Sequence, residues 1–233
     1  MTFLQLVQRL RLETNYANTG PTTVTGQTGD HERAVAWIAS AYSEIQARHD
    51  WRWMRKQFTL TLSSSVDTYD YTSCIDSATS TAISRFKSWA ITDPWNPPKI
   101  YLQSAGSGAE SWVTFVSWEN FRSVYRIGTQ TEGAPAHVTI DPSDNLVFGP
   151  EPNDTYIFTG EYNRGSQTLT ANSDEPDMPS DGHLLIVYEA MEKYGAYNSA
   201  AEVLARAQGE GRPMLRRLEK TQLPRMRTAR PMV

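Results

Sequence analysis

DHERAVAWIASAYSEIQARHDWRWMRKQF, residues Asp30 to Phe58, decides how the rest of the chain is read. Val35, Ile38, Tyr42, Ile45 and His49 recur at steps of three and four, which places them along one helical stripe. Asp30 suits an N-cap, because its carboxylate can accept from unpaired first-turn amides, and Glu32 adds negative charge at the positive end of the helix dipole. The helix empties into Trp51-Arg52-Trp53, and Gln57 to Leu62 (QFTLTL) then alternates as a strand does. A long helix is therefore fused to the start of a β-rich region.

Outward from that fusion, Thr2 to Asn15 reads as a first helix, with capping-box spacing between Thr2 and Gln5. Asn18 to Gly29 (NTGPTTVTGQTG) reads as a plain connection, since it lacks the GK[ST] ending of a phosphate loop. Candidate strands follow at Thr68–Tyr71, Ile83–Ile91, Lys99–Leu102, Trp112–Phe115, His137–Ile140, Leu146–Phe148 and Tyr156–Tyr162. A turn at Asp141 to Asn145 joins two of them, and Ser117 to Arg126 interrupts the series as a short helix with Phe121, Val124 and Tyr125 on one face. The chain turns helical again at Ser180. Leu184, Val187, Tyr188 and Met191 form a stripe, and Ser199 with Glu202 suggests the cap of a last helix. Gly209, Gly211 and Pro213 predict a break within it.

The fold class expected is α+β: a four-helix unit formed by the N- and C-terminal helices, with an inserted antiparallel β-sandwich or small barrel. The expected division is 1–56 and 180–221 as the two halves of a helical domain, 57–179 as the β-rich insertion, and 222–233 as an extended tail.

A chain of 233 residues with formal net charge -4 is not a generally basic nucleic-acid binder. Its charge is polarised, with nine acids against Arg164 between Gly133 and Gly182, and eight bases against Glu210 and Glu219 from Arg206 onward. Cys74 is the only cysteine, so no intrachain disulfide forms and synthesis in a reducing cytosol is expected. Arg9 and Arg11 interrupt the first apolar stripe, which argues against a signal peptide, and no run approaches the roughly 20 apolar residues of a membrane span.

Catalysis has little support in these residues. His31, His49, His137 and His183 are scattered, no GxSxG elbow exists, and Cys74 has no adjacent basic activator. Asp174, Glu175 and Asp177 suggest a cation site or a glycosidase pair, a hydrolase reading, but they sit in a proline-broken loop that reads as a solvated turn or helix-leading charge. The expectation is a protein that is not an enzyme and needs no cofactor or metal. Seven tryptophans also ask for a role. Trp51 and Trp53 suit either a core or a subunit interface. Exposed rings such as Trp112 and Trp118 would suit a carbohydrate-binding β-sandwich, the alternative reading.

The opening MTFLQLVQRLRLETN, the block Trp37 to Lys56 ending HDWRWMRK, WENFRSVYRIG, the hairpin with FGPEP, and MPSDGHLLIVYEAMEKYGAY resemble, in that order, tailed-bacteriophage head-to-tail connector (adaptor) proteins. The resemblance covers nearly the whole chain. It implies a virion structural protein at the portal vertex, assembled in the host cytoplasm as a ring, usually of twelve copies, between the portal protein and the next tail component (nozzle, stopper or tail tube). DNA would pass through its channel without sequence-specific binding, with no membrane involved. The resemblance further implies a C-terminal tail that docks on the portal, here Leu223, Pro224, Arg225, Met226, Arg227, Arg230 and Met232. Subunit contacts are expected at Trp51, Trp53, Tyr188, Arg216 and Arg217. The acid-rich span would supply a wall that repels DNA phosphates. The family implies a continuous last helix, against the break that Gly209 to Pro213 predicts.

Overall fold

The computed structural model describes residues 1–224 apart from Asn18 and Pro94. Along the chain run α1 (Phe3–Thr14), α2 (Gly29–Arg48), β1 (Arg55–Leu62), β2 (Thr68–Tyr69), β3 (Ile75–Asp76), β4 (Thr81–Ala82), β5 (Phe86–Trp89) and β6 (Lys99–Leu102). There follow β7 (Ser111–Trp112), β8 (Thr114–Phe115), α3 (Trp118–Tyr125), β9 (His137–Ile140), β10 (Leu146–Gly149), β11 (Tyr156–Arg164), α4 (His183–Tyr197) and α5 (Ala201–Gln222). The architecture is mixed α and β, in two compact units: Met1–Met54 with Ser166–Val233, and Arg55–Gly165. Residues 166–179, grouped with the β region on sequence grounds, fall in the helical unit.

In the helical unit α1, α2, α4 and α5 share one apolar core, built on Leu6, Leu10, Ile38, Ile45, Ile186 and Leu218 among others. The start of α1 accounts for each of its unpaired donors. Gln5 N–H donates to the Thr2 hydroxyl, and Thr2 N–H donates to the Gln5 side chain, so the capping box is present. Phe3 N–H donates to the Asp174 carbonyl at 2.7 Å and Leu4 N–H to the Asn172 carbonyl at 3.3 Å. At the other end Asn15 adopts φ 50°, a left-handed C-cap that asparagine tolerates.

The start of α2 departs from expectation. Its N-cap is Thr28, without a side-chain cap bond, and Asp30 lies inside the first turn, 3.0 Å from Arg33. Ile38, Tyr42 and Ile45 are buried as the stripe predicts, whereas His49 turns out of the helix as its extended C-cap. Buried Gln46 explains why the return segment belongs here. Its amide oxygen accepts from Gln167 N–H at 2.7 Å, and its amide nitrogen donates to the Gln167 carbonyl at 3.0 Å. Tyr42 and Asp177 complete the network, the tyrosine hydroxyl donating to the Gln167 side chain and accepting from Asp177 N–H. A buried amide must be satisfied, and here the returning backbone does it.

The last helix is continuous over 22 residues despite Pro213, which corrects the predicted break and agrees with what the resemblance implied. Proline in a helix interior costs about 3 kcal/mol relative to alanine. Packing offsets this: Ala207, Gly211 and Leu218 are buried along α5, and Pro213 is exposed, so its ring meets no packed neighbour helix. Gly211 permits the close approach to α4, where an added Cβ would lie 3.3 Å from the Tyr188 Cβ. Gly195 does the same for the turn into α5, its virtual Cβ 3.1 Å from Leu204. The cap expected from Ser199 and Glu202 is absent, the N-cap being Ala200 without a side-chain bond.

In the second unit, β1 and β11 form an antiparallel ladder from Arg55↔Asn163 to Leu62↔Tyr156. They centre a sheet ordered β4-β3-β1-β11-β6-β7, with β5 also on β11. A second sheet is ordered β2-β10-β9-β8. All pairs are antiparallel except β8 with β9, which run parallel and correct the wholly antiparallel expectation. Neither sheet closes into a barrel. Phe58, Leu60 and Leu62 alternate inward from β1 into one core with Trp89, Phe148 and Phe158. Ser117 caps α3 as its sequence suggests; Phe121 is buried there, but Val124 is 58% exposed.

Candidate functional site

Among the acids of the 174–177 loop, Asp174 holds structure. The Asp174 carboxylate accepts from Thr170 N–H at 2.7 Å and Ala171 N–H at 2.8 Å, and these donors, Ala171 foremost, hold its pKa below the usual value. The turn so formed aims the Asn172 and Asp174 carbonyls at the start of α1 and the Asn172 side chain at Val24 N–H. Cys74 is buried, and burial pushes its thiol up to about 12, too high for a nucleophile.

The four histidines serve four separate contacts. His31 meets the Tyr16 hydroxyl, His49 meets Glu219 at 3.2 Å, and His137 meets the Tyr125 hydroxyl at 2.7 Å. His183 is buried, with Nδ1 2.6 Å from the Met1 amino nitrogen and Nε2 3.1 Å from the Met178 carbonyl. The carbonyl takes the Nε2 hydrogen, so Nδ1 accepts from Met1 and the ring is neutral. Among the described residues no group of three His, Cys, Asp or Glu is placed to hold a metal ion. In the β unit a cleft of about 360 Å³ has Phe58 and Ile91 in its lining, but its carboxylates are engaged, Glu110 with Lys99 and Glu161 with Arg55.

His183 makes the helical unit sensitive to acid. Burial first, then the Met1 amino group, lower its folded pKa below the usual 6.5. The unfolded chain then binds the proton more readily, so stability is full above about pH 6.5 and falls as pH drops toward the lowered folded value. Thermal unfolding at pH 7.5 and 5.5 should show a fall in Tm that is smaller in His183→Gln.

Trp51 and Trp53, open between core and interface, are core residues. Trp51 is fully buried and stacks on Trp53 with ring centroids 4.6 Å apart. Its Nε1–H donates to the Ile45 carbonyl at 2.6 Å, satisfying one of the last carbonyls of α2. Trp112 is 61% exposed with the Lys99 ammonium 5.1 Å above its ring, while Trp118 is half-buried and stacks toward Phe121. Trp118 thus packs into its own helix rather than standing free as a platform for a sugar.

The remaining sequence-predicted residues lie on the surface of the helical unit. Tyr188 is half-buried against Gly211, and Arg216 and Arg217 project from α5. Leu223 packs on the helical core and Pro224 is exposed; Arg225, Met226, Arg227, Arg230 and Met232 lie outside the described residues. The acid-rich span does not form one wall within either unit. Asp141 to Glu161 belong to the β unit and Asp174 to Asp181 to the helical one. Asp141 bonds its own turn through Ser143 and Asn145, as Asp174 does.

One surface has no signature of its own in the sequence. Trp37 of α2 meets Tyr194 of α4 edge-on at 5.8 Å and Tyr197 at 5.7 Å, and Tyr16 lies 6.4 Å from Tyr194. Arg33 lies 4.9 Å above the Tyr197 ring, which is 57% exposed. Along the chain only the three-residue step from Tyr194 to Tyr197 on one helix hints at it.

Fold and surfaces together describe a two-unit α and β protein whose distinctive residues form packing joints and exposed faces, with no helix long and apolar enough to cross a membrane among the described residues. The model of the SU10 adaptor protein family matches residues 1–232, and the chain belongs to that family, a phage head-to-tail adaptor family. Its role is accordingly that of a structural phage connector at the head-tail junction, interacting with portal and tail components. A search of curated proteins gave no match.

Proposed function

We propose that copies of this chain form a ring beneath the portal, continue the DNA channel into the tail, and dock on the portal through residues 222–233, without performing catalysis. The family match over residues 1–232 carries this reading. The helices act as a four-helix unit that holds lateral contacts through Tyr188, Arg216 and Arg217, with the two sheets as an inserted sandwich. A ring presents many tails at once, so weak individual contacts gain roughly 10²–10⁴ in avidity. Arg225, Arg227 and Arg230 suit portal carboxylates, which a guanidinium grips with two parallel hydrogen bonds.

Deleting 222–233 should leave circular dichroism nearly unchanged and lower Tm by no more than the lost packing of Leu223, but abolish incorporation into portal-containing particles, scored by sedimentation. Normal incorporation of that truncation would remove the docking role. Mass measurement of the intact chain, alone and mixed with portal, tests the ring; a chain that remains monomeric in both would sink it.

A further inference from the structure

The aromatic cluster lies where α2 begins and α4 ends, and it already accepts a guanidinium. Arg33 sits on the Tyr197 ring while its own carboxylate partner, Asp30, stays 65% exposed. Cations gain from the negative face of an aromatic ring, most when water is excluded from it. The other end of the unit carries the complement. Arg216 and Arg217 are exposed on α5 and pair with no carboxylate among the described residues, while Arg212 donates to the Gln208 side chain at 3.4 Å and lies near enough to Glu192 to favour its ionised form. The two surfaces cannot satisfy one another within a copy. Helix α5 starts just after the cluster, at Ala201, and a rise of about 1.5 Å per residue carries Arg216 roughly 22 Å away.

Resting on the ring reading, we infer that the Arg212, Arg216 and Arg217 face of one copy seats on the Trp37, Tyr194 and Tyr197 rings of the next, between the exposed carboxylates of Asp30 and Glu32. The occupant is a second copy because charge and ring faces match and the chain supplies both halves. Two different patches meeting in this way make a heterologous contact, the kind that repeats around a ring and closes it. Arginine and large aromatic residues are also the side chains that dominate interface energies.

The test uses two full-length variants, Tyr197→Ala on the exposed ring and Arg216→Ala/Arg217→Ala on α5, each checked for an unchanged circular dichroism spectrum. A third, Trp37→Phe, keeps an aromatic filler should the first disturb packing. By native mass measurement each variant alone should associate at least tenfold more weakly than the wild type. An equimolar mixture of the tyrosine and arginine variants should give heterodimers and no rings, because the mixture retains one intact pairing of arginine face with aromatic face. Wild-type rings unaffected by either change would overturn this interface and leave the ring reading standing. A mixture that stays monomeric would also overturn it, as would an arginine variant that forms rings but loses portal capture, which would assign that face to the portal. A wild-type chain that never assembles, with or without portal, would fail the ring reading itself.

Discussion

Replacing Trp51 by alanine is expected to destabilise the helical unit by about 3–5 kcal/mol, the range for emptying a large aromatic site in a core. Four effects combine at this position. The side chain is fully buried, it stacks on Trp53 at 4.6 Å, and it meets the His49 ring edge-on at 4.9 Å. Its Nε1–H also closes the end of α2 on the Ile45 carbonyl, which loses its partner in the variant. Chemical unfolding followed by circular dichroism measures the loss. Trp51→Phe separates the contributions in part, since it keeps a six-membered ring in the site but removes the donor together with the five-membered ring. The unpaired Ile45 carbonyl contributes about 1–3 kcal/mol there, and the space of the missing five-membered ring adds to it. A Trp51→Ala protein as stable as the wild type would contradict the core assignment.

Phe58→Ala should destabilise the β unit by a similar amount, about 3–5 kcal/mol. Phe58 is fully buried, with Trp89 at 4.9 Å, Phe158 at 5.9 Å and Tyr162 at 6.2 Å between ring centroids. Its ring fills the space left by Gly160, whose virtual Cβ would stand 3.0 Å from the Phe58 ring and 3.1 Å from Ile91. Deleting the ring beside a glycine leaves a void that Gly160 has no side chain of its own to fill. The neighbouring Tyr162 donates to Asp76 at 2.7 Å, so collapse of the site would also strain a buried polar pair. Chemical unfolding read by tryptophan fluorescence should show a lower midpoint with the slope retained. Phe58→Leu, which keeps much of the volume, should lose considerably less.

Parts of this molecule were legible because their causes are local. The Thr2 and Gln5 capping box, the Ser117 cap, and the strands Lys99–Leu102 and His137–Ile140 each depend on residues a few positions apart. The two-residue strands at Ile75–Asp76 and Thr81–Ala82 left no readable period, because pairing with β1 and with each other makes them strands. Helix α5 reads as broken by local rules and is continuous because packing on α4 overrides the cost of Pro213. The aromatic surface joins Tyr16, Trp37, Tyr194 and Tyr197 from distant stretches, so no spacing announced it.

By itself the sequence determined the two helical ends, the strands between them, the polarised charge and the adaptor family, since periodicity, caps and ordered motifs are written along the chain. Only the tertiary structure decided that Trp51 faces inward, that the carbonyls of Asn172 and Asp174 serve the start of α1, and that the acidic span is divided between two units. Those outcomes depend on which backbone groups the returning chain brings beside them. A buried donor or carboxylate takes whatever partner packing supplies, and no local pattern encodes that partner.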